Sequence, residues 1–246
     1  MIIHPEEDSD DYPYYEDTVT ESSWHYKAIE LIHTVLQERF SDREDIFIGA
    51  NNFVYWQKGS KNQKLSPDVY VCLGARNIDR RSYKVWEEGG IAPQVVFEIT
   101  SKSSQFTDIG TKKAVYEAWG VEEYYLFDPL REYIPKGFKA FVQKRGLLQP
   151  LSGKRIFSAR LGLDLRAEGR LLRFFQPGSS QRLLTYRESQ LARVEAEAAR
   201  TEAEAARQFE QSARRAAEAA KQESEDLVAR LRAELAQLRR EMEPES

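Results

Sequence analysis

The first regular pattern along the chain has a helical period. In SSWHYKAIELIHTVLQERF, residues 22–40, the apolar positions Ala28, Ile29, Ile32, Val35 and Leu36 recur three and four apart. That spacing is one face of an amphipathic helix, with Ser22 or Ser23 as its N-cap. The pattern then changes to short runs rich in β-branched and aromatic residues: IFIGANNFVYWQ, DVYVCL, PQVVFEIT, EYYLF and FKAFVQ. Turn residues separate them, among them Gly59, Gly74, Gly89, Gly90 and Pro129. Between the third and fourth runs, TDIGTKKAVYEAWG reads as a helix closed by Gly120. Helix, strands, helix, strand predicts an α/β domain, a mixed sheet flanked by helices, over residues 21–176.

After a linker expected at 177–182 the pattern is helical again, from Leu183 to Met242. EAEAART (Glu195–Thr201) is followed directly by EAEAARQ (Glu202–Gln208), a near-repeat of seven residues. Val228, Leu231, Leu235, Leu238 and Met242 then step three and four apart, the a/d seam of a coiled coil. The alanine-rich first half offers little to a partner helix. Two readings stand: a coiled coil that joins copies of the chain into a homo-oligomer, and a solvated lone helix held by charge pairs.

Composition narrows the class. With 246 residues, a net charge of −4 and 41% hydrophobic residues, the chain can bury one substantial core. The single cysteine, Cys72, excludes an internal disulfide framework, and the three histidines never stand with it at zinc-ligand spacing. No apolar run approaches the length of a membrane span, so a soluble cytoplasmic protein is expected. The charge is segregated. Residues 1–20 carry seven acids and no Lys or Arg, which predicts a disordered acidic arm. Residues 131–173 carry eleven bases and three acids, a net +8.

One position resists its surroundings. Glu98 sits inside VVFEIT, and a carboxylate left unpaired in a buried strand costs several kcal/mol. Alternation puts Val96, Glu98 and Thr100 on one face of the strand and Val95, Phe97 and Ile99 on the other. In PDVYVCL it puts Asp68, Tyr70 and Cys72 on one face and Val69, Val71 and Leu73 on the other. If these strands are neighbours, Asp68 and Glu98 converge, within about 4–6 Å and open to solvent at a sheet edge, on a hard cation such as Mg²⁺. The plainer alternative for Glu98 is a salt bridge to a nearby Lys or Arg. For Asp68 it is a cap where the strand begins.

At this point the chain resembles the Uma-type restriction endonucleases of the PD-(D/E)XK superfamily. The matching segments are Pro67-Asp68-Val69, Val95–Ser104, the series Asp108, Lys112 and Tyr116, and Gly120–Pro129. They fall in order within about residues 22–175. The resemblance implies a restriction-endonuclease-like core in which Asp68 and Glu98 bind Mg²⁺ or Mn²⁺ and a lysine assists hydrolysis of a phosphodiester in DNA. The metal polarises the phosphoryl group and acidifies its water, and an ammonium orients the nucleophile or stabilises developing charge. Where the superfamily has its in-strand lysine, this chain has Thr100. Lys112 matches the family's helical lysine and is the favoured substitute. Lys102, on Glu98's face if the strand continues, Thr100 itself, and Glu30, on the first helix, are secondary candidates. Asp128-Pro129 reads as a turn that ends a strand, Tyr70 and Tyr116 as packing residues near the cleft, and His25 as a half-buried helix residue. Lys136, Lys139, Lys144 and Arg145 are candidates for phosphate contact. The rival expectation is a catalytically impaired nuclease fold that serves as an assembly module through its coiled coil.

Overall fold

In the computed structural model the described residues are 23–100 and 108–241, with the side chains of 108, 109 and 237–241 left aside. The acidic arm, Lys102 and Met242 therefore lie outside the described residues, as do the side chains of Asp108 and Leu238.

Helix α1 (Ser23–Arg39) begins where the serines predicted, and its buried face is the expected one, Ala28, Ile29, Ile32, Val35 and Leu36, with His25 added. Next come β1 (Ile46–Ala50), β2 (Val54–Tyr55), β3 (Lys64–Leu65), β4 (Val69–Leu73), β5 (Tyr83–Lys84) and β6 (Val95–Ile99). A π-helical turn over Asp108–Lys112 leads into α2 (Lys113–Ala118). Then follow β7 (Glu123–Phe127), β8 (Phe138–Lys144), β9 (Leu147–Leu151), β10 (Ile156–Ser158), β11 (Leu163–Glu168), β12 (Leu171–Phe175) and a long helix α3 (Tyr186–Glu241).

The main sheet has six strands in the order β1-β4-β6-β7-β8-β9. All its pairs are antiparallel except β6–β7, whose parallel pairing the helical crossover between them permits. Alternation along β4 and β6 divides the core as the sequence indicated. Val69, Val71, Val95, Phe97 and Ile99 pack on one side with the α1 face and with Leu163, Leu165, Leu172 and Phe174 of the β10-β11-β12 sheet. Tyr70, Cys72 and Val96 pack on the other with Tyr116, Trp119 and residues of the small β3-β2-β5 sheet. Gly49 stands opposite Tyr70, and a Cβ there would lie 2.3 Å from the phenol ring, so only glycine fits. Gly120, at φ 76°, ends α2 in the left-handed conformation.

Three features differ from the sequence reading. IFIGANNFVYWQ is not one strand: Asn51 takes φ 51°, and the chain turns from the main sheet into the small one. Residues 147–175, for which no strand was expected and which fall mostly within the basic stretch 131–173, form four strands. Residues 177–182 do not run free. Gln176 donates to Gln181 O at 3.0 Å and Leu183 to Phe174 O at 2.8 Å, and the long helix starts at Tyr186 rather than Leu183. Beyond Tyr186 the helix is a unit of its own, with every residue exposed from Ser189 to Ala236. None of the helices among the described residues is long and apolar enough to cross a membrane.

Burial pushes the Cys72 thiol up to about 12. A thiol reagent is expected to leave the native protein untouched and to label one cysteine after denaturation; labelling at the same rate in both states would contradict this packing.

Candidate active site

The site grows from the register of three strands. Val69 pairs with Phe97 and Tyr70 with Val96, so the same antiparallel register sets Asp68 opposite Glu98, side by side on one face. Glu98 in turn pairs with Leu126 of β7, and Leu126 with Lys139 of β8. The row across the sheet therefore reads Asp68, Glu98, Leu126, Lys139.

Both carboxylates are buried, Glu98 at 1% exposure and Asp68 at 8%. Glu98 lies on a central strand, so the expected opening at a sheet edge is not found; the parallel β7 and its partners cover that flank. Glu98 meets α2 and the turn before it. Lys112 Nζ donates to Glu98 Oε2 at 2.9 Å, and the Tyr116 hydroxyl donates to Glu98 Oε1 at 2.5 Å. Lys112 and Tyr116 are four apart, so one helix face delivers both. The π-helical turn just before them is of a kind often found at functional sites. Here is the answer to the carboxylate in an apolar strand: an ammonium and a phenol stabilise its charge.

Asp68 is held from two sides. Its Oδ2 accepts from the backbone amide of Ile99 at 2.5 Å, and its Oδ1 lies 3.4 Å from Nε2 of His25. Burial first, then the charge of Glu98 and, further down, that of Asp68, raise the Tyr116 phenol well above its ordinary range. Tyr116 is thus a fixed donor at any physiological pH, and the negative charges of both carboxylates converge on it. Thr100, on the face of Glu98, is 4% exposed, and its Oγ1 has no hydrogen-bond partner among the described residues.

The other candidates separate. Glu30 is exposed on α1, whereas His25, on the sheet-facing side of the same helix, supplies the α1 side chain that meets Asp68. The sequence reading left His25 as a half-buried helix residue; its spacing of four from Ile29 and seven from Ile32 was the signal that it turns inward. Lys136 and Lys139 are exposed at the end of β8 nearest the Glu98 row. Lys144 and Arg145 are exposed at the β8–β9 turn, about 16 Å further along the strand at about 3.3 Å per residue. The basic residues do not form one patch. Asp128 is a structural turn residue as expected, its carboxylate accepting from the amides of Leu130, Arg131, Tyr133 and Ile134.

A family described as "Uma2: Putative restriction endonuclease" matches residues 3–145, more than half of the chain. The chain belongs to this family. Asp68, Glu98, Lys112 and Tyr116 all fall within the matched stretch, so the buried constellation lies in the part that defines a Uma2 protein. No curated protein matches. Among solved structures, the chain is similar to a putative nuclease belonging to DUF820 from Anabaena variabilis. The two are 12% identical, with 57% of this chain and 73% of that one covered and a TM-score of 0.42.

The donor set suits a hard cation. It offers two carboxylates opposite one another on adjacent strands, and Mg²⁺ takes one or two carboxylates and completes its shell with water. Among the described residues no group of three or more His, Cys, Asp or Glu could hold a metal.

Proposed function

We propose that this Uma2 protein is a metal-dependent endonuclease that hydrolyses phosphodiester bonds in DNA. Asp68 and Glu98 would hold the ion, Mg²⁺ or Mn²⁺, and Lys112 would act beside it. The observation that carries the reading is the Lys112–Glu98 contact at 2.9 Å: the ammonium absent from the strand, where Thr100 stands, arrives from the helix instead. A bound divalent ion supplies Lewis-acid polarisation of the phosphoryl group and a more acidic water. The remaining work falls to side chains of this chain. Lys112 carries a positive charge to the lip of the site, its side chain 21% exposed, where it can orient an attacking water and stabilise charge developing on phosphate oxygens. Tyr116 holds one oxygen of Glu98 and Ile99 N one oxygen of Asp68, which fixes the carboxylates before substrate arrives. Lys136 and Lys139 are the phosphate contacts nearest this site, and Lys144 and Arg145 would reach a more distant part of the duplex.

One observation favours a second reading, a nuclease fold without turnover that serves assembly. Lys112 and Tyr116 already satisfy Glu98 as an ion-pair partner and a donor, so the charge needs no metal to be stable. The two readings part at Lys112→Ala. The endonuclease reading expects Mg²⁺-dependent cleavage that falls about 10²-fold in this variant while far-UV circular dichroism stays near wild type and the melting temperature drops, because buried Glu98 loses its ion-pair partner. Equal cleavage by Lys112→Ala and wild type would remove the lysine from the mechanism. No cleavage by wild type over a range of DNA forms and divalent ions would leave the assembly reading.

A further inference from the structure

On the flank of α2 next to the face that meets Glu98, a groove of about 540 Å³ lies between the helix and the β2–β3 hairpin. Trp56, Lys64 and Leu65 line one wall and Thr111, Ala114 and Trp119 the other. Its volume falls in the range of about 300–1,000 Å³ typical of small-molecule sites. The two indoles are parallel, with ring centroids 5.7 Å apart and an interplanar angle of 4°. Trp119 is buried and Trp56 half-buried, so the inner ring fixes the orientation of the outer one. Thr111, Ala114 and Ala118 recur on one helix face, and Lys112 and Tyr116 on the face beside it. One short helical segment thus carries both the groove wall and the groups that hold Glu98.

The hairpin is basic. Residues 54–67 contain Lys58, Lys61 and Lys64 and no Asp or Glu. Lys58 and Lys61 are exposed, and the Lys64 ammonium lies 3.6 Å above the ring of Phe53. None of the groove's lining residues is acidic. A flat aromatic wall bordered by lysines matches the two chemistries that an unpaired nucleotide presents, a base face and a phosphate.

We propose that this groove binds an unpaired stretch of DNA, with a base extending the Trp56–Trp119 stack and neighbouring phosphates on Lys58 and Lys64. Because the groove and the Glu98 site share one helical segment, the DNA cleaved has a single-stranded part next to the scissile bond; this last step rests on the endonuclease reading, while the binding does not.

The test is fluorescence anisotropy of the full chain with a short labelled oligo(dT) and with a blunt duplex of the same length, in chelator, where no metal-dependent cleavage runs. Wild type should bind the single strand more tightly than the duplex. Trp56→Ala should weaken single-strand binding about five- to a hundredfold, the range that base stacking on an aromatic ring carries, and Trp56→Phe should retain most of it. Ala114→Glu, at an exposed helix position, should weaken it as well by adding a negative charge to the wall without touching the core. Lys58→Ala combined with Lys64→Ala should flatten the slope of log affinity against log salt by about 1.4, at about 0.7 per phosphate contact on a single strand. Single-strand affinity equal to duplex affinity, or unchanged in both Trp56→Ala and Ala114→Glu, would overturn the groove. Selective single-strand binding without any cleavage on adding Mg²⁺ would uphold the groove and sink the endonuclease reading instead.

Discussion

Glu98→Gln is expected to leave a folded protein that no longer cleaves, with activity lower by about 10²- to 10³-fold or more, the scale on which one charge-handling group acts in a buried site. The amide keeps an oxygen that can accept from Tyr116 while losing the negative charge that a cation and Lys112 require. Glu98→Ala is expected to do something further. It removes the acceptor of a buried phenol and of the Lys112 ammonium together, and breaking a buried pair from one side costs about 3 kcal/mol. The two variants should therefore share their loss of activity and differ in melting temperature, alanine lower. Chemical denaturation of both beside wild type checks the difference. Equal stability of alanine and glutamine variants would mean that Tyr116 and Lys112 find other acceptors at no cost. Substantial cleavage by either would mean that Glu98 is a packing residue and its ion pair a structural one.

The second large effect is expected at the other end of the chain. Helix α3 extends for 56 residues, about 84 Å at about 1.5 Å per residue, and within it Val228, Leu231 and Leu235 are 43%, 50% and 58% exposed. Arg200–Glu204, Arg214–Glu218 and Lys221–Glu225 are ion pairs on its exposed surface, each base before acid at four residues, the weaker order. They contribute a few tenths of a kcal/mol each, little support for so long a helix standing alone. Pairing of the apolar stripe between copies would supply the rest. The expected result is a light-scattering mass that is a multiple of 28.5 kDa and that falls to 28.5 kDa in Leu231→Asp with Leu235→Asp, while the nuclease-like domain melts as before. A wild-type mass of 28.5 kDa would favour the lone helix. A larger mass unchanged by the double substitution would move the contact away from this stripe.

What could be read from the sequence follows from the kind of signal each feature leaves. The α1 face and the two faces of β4 and β6 were legible because a buried surface imposes its period on the chain, and each strand had one polar position where apolar ones were due. That β4 and β6 are neighbours was an inference from that shared oddity, and their antiparallel register sets Asp68 opposite Glu98. The approach of Lys112 was legible through the resemblance, since a helix brings distant sequence to a site that local period cannot reveal. The role of His25 was legible only in part: its spacing marks it as inward, but which carboxylate it meets depends on how α1 lies across the sheet. Strands β10 to β12 were missed because their arginines drew attention to charge. Leu163, Leu165, Leu172 and Phe174 nevertheless alternate and are buried, and Arg166 and Arg173 stand opposite one another across the pair. The break at Asn51 was hidden because asparagine is as ordinary in a polar interruption as in a left-handed turn, and only the backbone distinguishes them.

The most direct test of the account is cleavage of supercoiled and partly single-stranded DNA by the wild-type chain over a titration of Mg²⁺ and Mn²⁺, with a chelator control and Asp68→Asn in parallel. The account predicts cleavage that rises with the divalent ion, stops in chelator and is absent from Asp68→Asn at every ion concentration. Cleavage that persists in chelator, or that Asp68→Asn performs as wild type does, would contradict the claim that Asp68 and Glu98 form a metal-dependent nuclease site.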